Sequence, residues 1–142
     1  MAEKVLVVDD ERQIRDLLNA FLTNEAYKVI LASNGKEAIE LAGRENPDVI
    51  LLDLKMPEIN GIEVCQRLKA EPKTQFIPVI MITGYVDNKI VAIESGADDF
   101  VNKPFDLTEL AIRIKSILRI RHLTNELERS VAYIEELGSN FS

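Results

Sequence analysis

The chain has 142 residues, 46% hydrophobic and 29% charged side chains, and a formal net charge of −7. That length fits one ordinary domain with a modest surplus, and the composition is too apolar for a disordered segment. The acidic balance argues against direct nucleic-acid binding and against docking on an anionic membrane, both of which rest on Lys and Arg.

Apolar runs alternate with helix-period segments along the chain. Residues 4–8, Lys-Val-Leu-Val-Val, read as strand 1. Residues 11–25 read as helix 1, with Ile14, Leu17, Leu18, Phe21 and Leu22 on one face. Strand 2 covers 28–32. Asn34 caps helix 2, with Glu37 three residues on and Ala38, Leu41 and Ala42 turned inward. Strand 3 covers 48–53, an almost unbroken apolar run of the kind buried on both faces of a parallel sheet. Pro57 and Asn60-Gly61 end it in a loop, and Asn60 caps helix 3, whose inner positions are Val64, Cys65 and Leu68. Strand 4 covers 78–83. A weaker helix 4 runs from about 87 to 95 and Gly96 ends it. Residues 100–102 form strand 5, and Asp106 with Glu109 opens helix 5 as an N-cap pair. This five-fold βα alternation predicts a mostly parallel sheet with helices on both faces.

Helix 5 outruns that domain. Leu110, Ile114, Ile117 and Leu118 suit packing on the sheet, but Ile120, Leu123, Leu127, Ser130, Ile134 and Leu137 then follow three- and four-residue steps, as in a coiled-coil seam. Arg121, Glu126, Glu128, Arg129, Glu135 and Glu136 keep the other faces wet, and Gly138 is the expected stop. The division is residues 1–119 as the domain and 120–142 as a helical extension or linker. An apolar stripe of that length needs burial, and the expectation is a parallel two-fold dimer through 120–137.

Chemistry-bearing residues collect where strands end: Asp9 and Asp10 after strand 1, Asp53 at the end of strand 3, Thr83 after strand 4 and Lys103 after strand 5. Open α/β sheets bind ligands at the carboxyl ends of their strands. Clustered carboxylates repel and raise one another's pKa unless a cation neutralises them. Mg²⁺ wants oxygen ligands and keeps several waters, so two or three carboxylates suffice to hold it. An aspartate can act as a nucleophile toward a phosphoryl group. The remaining work of phosphoryl transfer is positioning and charge neutralisation, for which a lysine ammonium and a threonine hydroxyl are suitable.

Val-Val-Asp9-Asp10-Glu11, Leu-Leu-Asp53-Leu-Lys-Met-Pro57-Glu-Ile-Asn-Gly61, Ile-Thr83-Gly and Gly96-Ala-Asp-Asp-Phe-Val-Asn-Lys103-Pro104-Phe105 together resemble the receiver domain of two-component response regulators, over roughly residues 3–120. The resemblance implies a flavodoxin-like, doubly wound five-stranded sheet of order 2-1-3-4-5. It implies that Asp53 is the phosphoacceptor for a histidine kinase or phosphotransfer protein. It implies Mg²⁺ held by Asp9, Asp10, Asp53 and the backbone carbonyl of Lys55, and a cis peptide between Lys103 and Pro104. Thr83 and the aromatic matching Phe100 would be the switch pair. Phe100 departs from the family's usual tyrosine, so its inward state gains packing only. Lys55 and Tyr85 match positions that tune the lifetime of the aspartyl phosphate. The tail looks like the linker that, in related proteins, leads into a diguanylate cyclase, an HD-type phosphodiesterase or a kinase module; the chain reads either as part of a longer protein with a C-terminal output domain, the slightly favoured alternative, or as a complete single-domain regulator.

Simpler readings stand beside these. Asp9-Asp10-Glu11 would also suit a helix N-terminus, and Thr83 before Gly84 a turn. His122, the one histidine, reads as an exposed helix residue, because Leu123 stands where phosphohistidine motifs carry an acidic neighbour. Cys65, the single cysteine, reads as core; alone it excludes an intrachain disulfide and suits a reducing compartment. With neither a signal-peptide pattern nor an apolar run of spanning length, the expected location is the cytoplasm. Arg113, Lys115, Arg119 and Arg121 gather positive charge on helix 5. The favoured function is a phosphorylation-controlled switch, not an enzyme, that acts through strand 4, helix 4, strand 5 and helix 5. Two alternatives remain: an adaptor that works by protein–protein contact alone, and an aspartate-nucleophile phosphohydrolase. The second is weakened because Lys55 occupies the place of that class's second aspartate.

Overall fold

The computed structural model describes residues 2–84 and 89–140. Ten elements alternate without exception: β1 (Lys4–Val8), α1 (Arg12–Asn24), β2 (Lys28–Ala32), α2 (Gly35–Glu45), β3 (Val49–Asp53), α3 (Gly61–Ala70), β4 (Val79–Thr83), α4 (Lys89–Glu94), β5 (Asp99–Asn102) and α5 (Leu107–Asn140). The strands form one parallel sheet of order β2-β1-β3-β4-β5. This is the flavodoxin-like arrangement that the resemblance implies, and β3 and β1 lie inside it.

Alternation along each strand separates two cores. Val5, Val7, Val49, Leu51, Ile80, Ile82 and Val101 face α1 and α5, where Leu18, Leu22, Leu110, Ile114, Ile117 and Leu118 close over them. Leu6, Val8, Ile50, Leu52, Val79 and Met81 face the other way, toward Ala38, Ala42, Val64, Cys65, Leu68 and Ala92. β3 and β4 are buried at every position, as a strand covered on both faces must be. Each buried Leu or Ile side chain is worth roughly 1.5–3 kcal/mol, so this double layer fixes the strand ends.

Caps and corners follow the local sequence. Asn34 accepts from the Glu37 N–H at 2.8 Å and Asn60 from the Glu63 N–H at 3.0 Å. Gly96 lies at φ 102°, the left-handed region where glycine avoids a side-chain clash, and ends the α4 segment. Four local readings are corrected. Leu17 is 46% exposed, because the inner face of α1 is filled by Leu18 and Leu22. Glu109 does not complete the N-cap with Asp106; it pairs with Arg113 at 3.1 Å while Asp106 alone accepts from the Thr108 N–H. Gly138 does not stop α5, which runs to Asn140; its φ stays out of the left-handed region that a glycine stop uses. Arg121 is not merely a wet-face residue: its guanidinium donates to the carbonyls of Pro47 at 3.2 Å and Asp48 at 2.8 Å, fastening α5 beneath β3. β5 begins at Asp99, one residue before the expected start, and α4 as described is Lys89–Glu94. Asp87 and Asn88, the expected start of α4, and Tyr85 lie outside the described residues.

From Ile120 on, the domain leaves the apolar row of the helix uncovered. Ile120, Leu123, Leu127, Ile134 and Leu137 are all exposed, with Leu127 at 64%. No described helix is long and apolar enough to cross a membrane.

Candidate functional site

The carboxyl edge of the sheet brings Asp9, Asp10, Asp53, Thr83 and Lys103 to one corner. Asp53 is the last residue of β3 and is 4% exposed; Asp9, just past β1, is fully buried. The two strands are adjacent and parallel, so they deliver these side chains side by side. Carboxylate oxygens of Asp9, Asp10 and Asp53 all lie within 4.8 Å of one another. Lys103 reaches in from the turn after β5, its Nζ 3.3 Å from Asp53 Oδ1 and 3.4 Å from Asp9 Oδ2. The Lys103–Pro104 peptide is cis. Lys55, whose carbonyl the resemblance singles out, is an exposed residue of the loop after β3.

Asp9 and Asp53 share Lys103 while Asp10 adds a third carboxylate beside them, and the imbalance registers in Asp53. Burial pushes its pKa up, Asp9 pushes it further, and Lys103 only partly compensates, so the carboxyl rises from 3.8 to about 6. Burial works against the charge on Lys103, but Asp53 and Asp9 outweigh it and raise its pKa. A deficit of positive charge among hard oxygen donors is what a divalent cation such as Mg²⁺ would correct, so the donor set fits that ion.

The second tier of contacts was not legible in the sequence. Asp9 Oδ1 accepts from the Glu11 N–H at 2.8 Å, and Arg15 donates to the Asp9 carbonyl at 2.7 Å, so both ends of Asp9 are held. Thr83 is fully buried, and its hydroxyl donates to Asn102 Oδ1 at 3.1 Å. Gly61 opens α3 directly against Asp53: a Cβ there would fall 2.5 Å from the Asp53 carbonyl oxygen and 2.8 Å from Leu54 Cα. Phe100 is half-buried against the α2/α3 core. The only sequence signals for these contacts are the motif positions themselves, since each joins residues brought together by strand register. A groove of about 410 Å³ between Phe76 and Pro78 on one side and Ile117, Ile120 and Arg121 on the other lies at the opposite end of the sheet from the acidic corner.

The sequence model of the response regulator receiver domain matches residues 5–115. The chain belongs to that family. The receiver domain is 48% identical over 119 residues to the probable transcriptional regulator ycf27 of Porphyra purpurea, covering 82% of this chain and 48% of that protein. It is 41% identical over 139 residues to the transcriptional regulatory protein SrrA of Staphylococcus aureus, covering 96% of this chain and 56% of that one. The chain therefore spans about half the length of these curated relatives. Among solved structures, the receiver domain of the Francisella response regulator 1452 matches with a TM-score of 0.76 at 32% identity, covering 82% of this chain and 97% of that one. The chemotaxis protein CheY4 of Vibrio cholerae matches with a TM-score of 0.78 at 29% identity, covering 82% and 99%.

Proposed function

We propose that this receiver domain is a phosphorylation-controlled switch and that Asp53 is its phosphoacceptor. The observation that carries this reading is a buried aspartate at the end of an inner strand, with an ammonium 3.3 Å away and two further carboxylates beside it. The donor is a histidine kinase or phosphotransfer protein. An oxygen of the Asp53 carboxylate attacks phosphorus, the phosphorus–nitrogen bond of the phosphohistidine breaks, and the imidazole leaves with its electron pair and takes up a proton. Lys103 follows the negative charge from the carboxylate onto the phosphoryl oxygens. Asp9, Asp10, Asp53 and the Lys55 carbonyl would hold Mg²⁺, which when bound supplies the positive charge the carboxylates lack. The protein's contribution is positioning, since phosphoryl transfer needs little covalent help beyond the nucleophile.

Incubation with acetyl phosphate followed by intact mass tests this reading. One phosphoryl adduct that requires Mg²⁺ and is absent from Asp53→Asn is expected. No adduct on the wild type, or one that persists in the variant, would overturn it and favour an adaptor acting by contact alone.

Output is proposed to pass from Thr83 and Phe100 to the surface of α4, β5 and α5, and on into residues 120–142, which we read as an extension separate from the receiver of residues 1–119. Because the curated relatives are transcriptional regulators about twice as long, a transcription-regulating output in a longer protein is the reading they favour. The exposed row Ile120, Leu123, Leu127, Ile134 and Leu137 supports a parallel homodimer through the extension. Leu127→Asp places a charge in the middle of that seam and is expected to convert a sedimenting dimer to monomers. A dimer that withstands the substitution would show that the extension is not the interface.

A further inference from the structure

We infer that Asn102 is a positioning residue that restrains Thr83 and thereby weakens the domain's hold on a phosphoryl group at Asp53; the inference rests on the phosphoacceptor reading above. β4 lies between β3 and β5, with Asp53 opposite Ile82 and Thr83 opposite Asn102. Thr83 is therefore one residue past the position beside Asp53, and its hydroxyl is at the same sheet edge. It is fully buried and donates to Asn102 Oδ1 at 3.1 Å. The backbone beneath is held as well, because the Lys103 N–H donates to the Thr83 carbonyl at 2.7 Å.

A hydroxyl has one proton to donate. A phosphoryl group on Asp53 brings three acceptor oxygens with most of two negative charges, stronger acceptors than an amide carbonyl. Thr83 can donate to one of them only by leaving Asn102, so the two acceptors compete for one proton. The amide carbonyl of Asn102 is left facing solvent when Thr83 departs, which its exposed position makes tolerable. Among the described residues, one neutral hydrogen bond thus holds the Thr83 hydroxyl in the resting arrangement, a term large enough to bias the switch and small enough for a charged ligand to override. Breaking a bond of this kind shifts an equilibrium by roughly threefold to tenfold.

The test uses beryllium fluoride as the phosphoryl mimic, titrated at fixed Mg²⁺ against isotope-labelled protein and followed by NMR. Asn102→Ala should tighten apparent affinity by about threefold to tenfold. In a Thr83→Val background, where the hydroxyl is gone, the same Asn102→Ala substitution should change nothing. Unchanged or weaker affinity in Asn102→Ala, or an equal gain in both backgrounds, would overturn the inference, because Asn102 would not be acting through Thr83. Asn102 is exposed, so its truncation leaves the core intact. A wild type that binds no beryllium fluoride with Mg²⁺ would instead remove the phosphoacceptor reading, and the Asn102 inference with it.

Discussion

Asp53→Asn is expected to make the metal-free protein more stable than the wild type at neutral and higher pH, although it destroys the residue on which the proposed function depends. The sign follows from the raised pKa of Asp53, which sits at about 6 when folded against 3.8 for an ordinary aspartate. The folded state holds its proton more tightly, so the stability this group contributes is full below pH 3.8 and is lost as pH rises through about 6. Two pH units correspond to about 3 kcal/mol, and relaxation around the corner makes roughly 2 kcal/mol the expected gain for a neutral amide at pH 8. Urea unfolding in the presence of EDTA at pH 8 and pH 4.5 checks this: the variant's advantage should be large at the first and mostly gone at the second. Saturating Mg²⁺ should narrow the gap at pH 8 by stabilising only the wild type's full carboxylate set. A variant no more stable than wild type at pH 8 would mean that Lys103 already balances the corner.

Gly61→Ala should be damaging to both fold and site. In the first turn of a helix, alanine normally gains up to about 1 kcal/mol over glycine. At this position the added Cβ falls 2.5 Å from the Asp53 carbonyl oxygen, 2.8 Å from Leu54 Cα and 3.0 Å from Met81 Sδ, and two of these three are backbone atoms. The backbone must give way, and overpacking of this kind costs roughly 1–3 kcal/mol, which exceeds the helix gain. The movement falls on Asp53, the proposed phosphoacceptor, so acetyl phosphate labelling should slow as well. Gly43→Ala is the control: a Cβ there meets nothing within 4 Å, and that variant should be unchanged or stabilised by about 0.5–1 kcal/mol. Equal stability of the two variants would show that α3 can shift away from β3 without loss.

What could be read from the amino-acid sequence divides by range. The strands were visible because double burial writes them as unbroken apolar runs, Val5 to Val8 and Val49 to Leu52. The caps at Asn34 and Asn60 were visible because a cap is a contact between near neighbours. Asp9, Asp10, Asp53 and Lys103 were legible as strand-end residues, and the sheet order then places them together. Contacts across the sheet had no such signature. Asn102 looked like a residue beside a motif lysine until register set it opposite Thr83. Arg121 sits among charged residues on a helix that periodicity describes as wet, and only the fold brings the carbonyls of Pro47 and Asp48 beneath it. Gly138 misled for the opposite reason: glycine permits a left-handed turn but does not impose one.

The fastening at Arg121 makes the outer part of α5 a lever with a fixed fulcrum. Asn140 lies 19 residues beyond Arg121, a reach of about 28 Å at 1.5 Å per residue. The helix is continuous across the fulcrum, so a tilt of about 10° at the base would sweep the tip through about 5 Å. Displacements too small to disturb a packed core are multiplied along such an arm. Its inner half is packed on β3, which presents Asp53 at its far end.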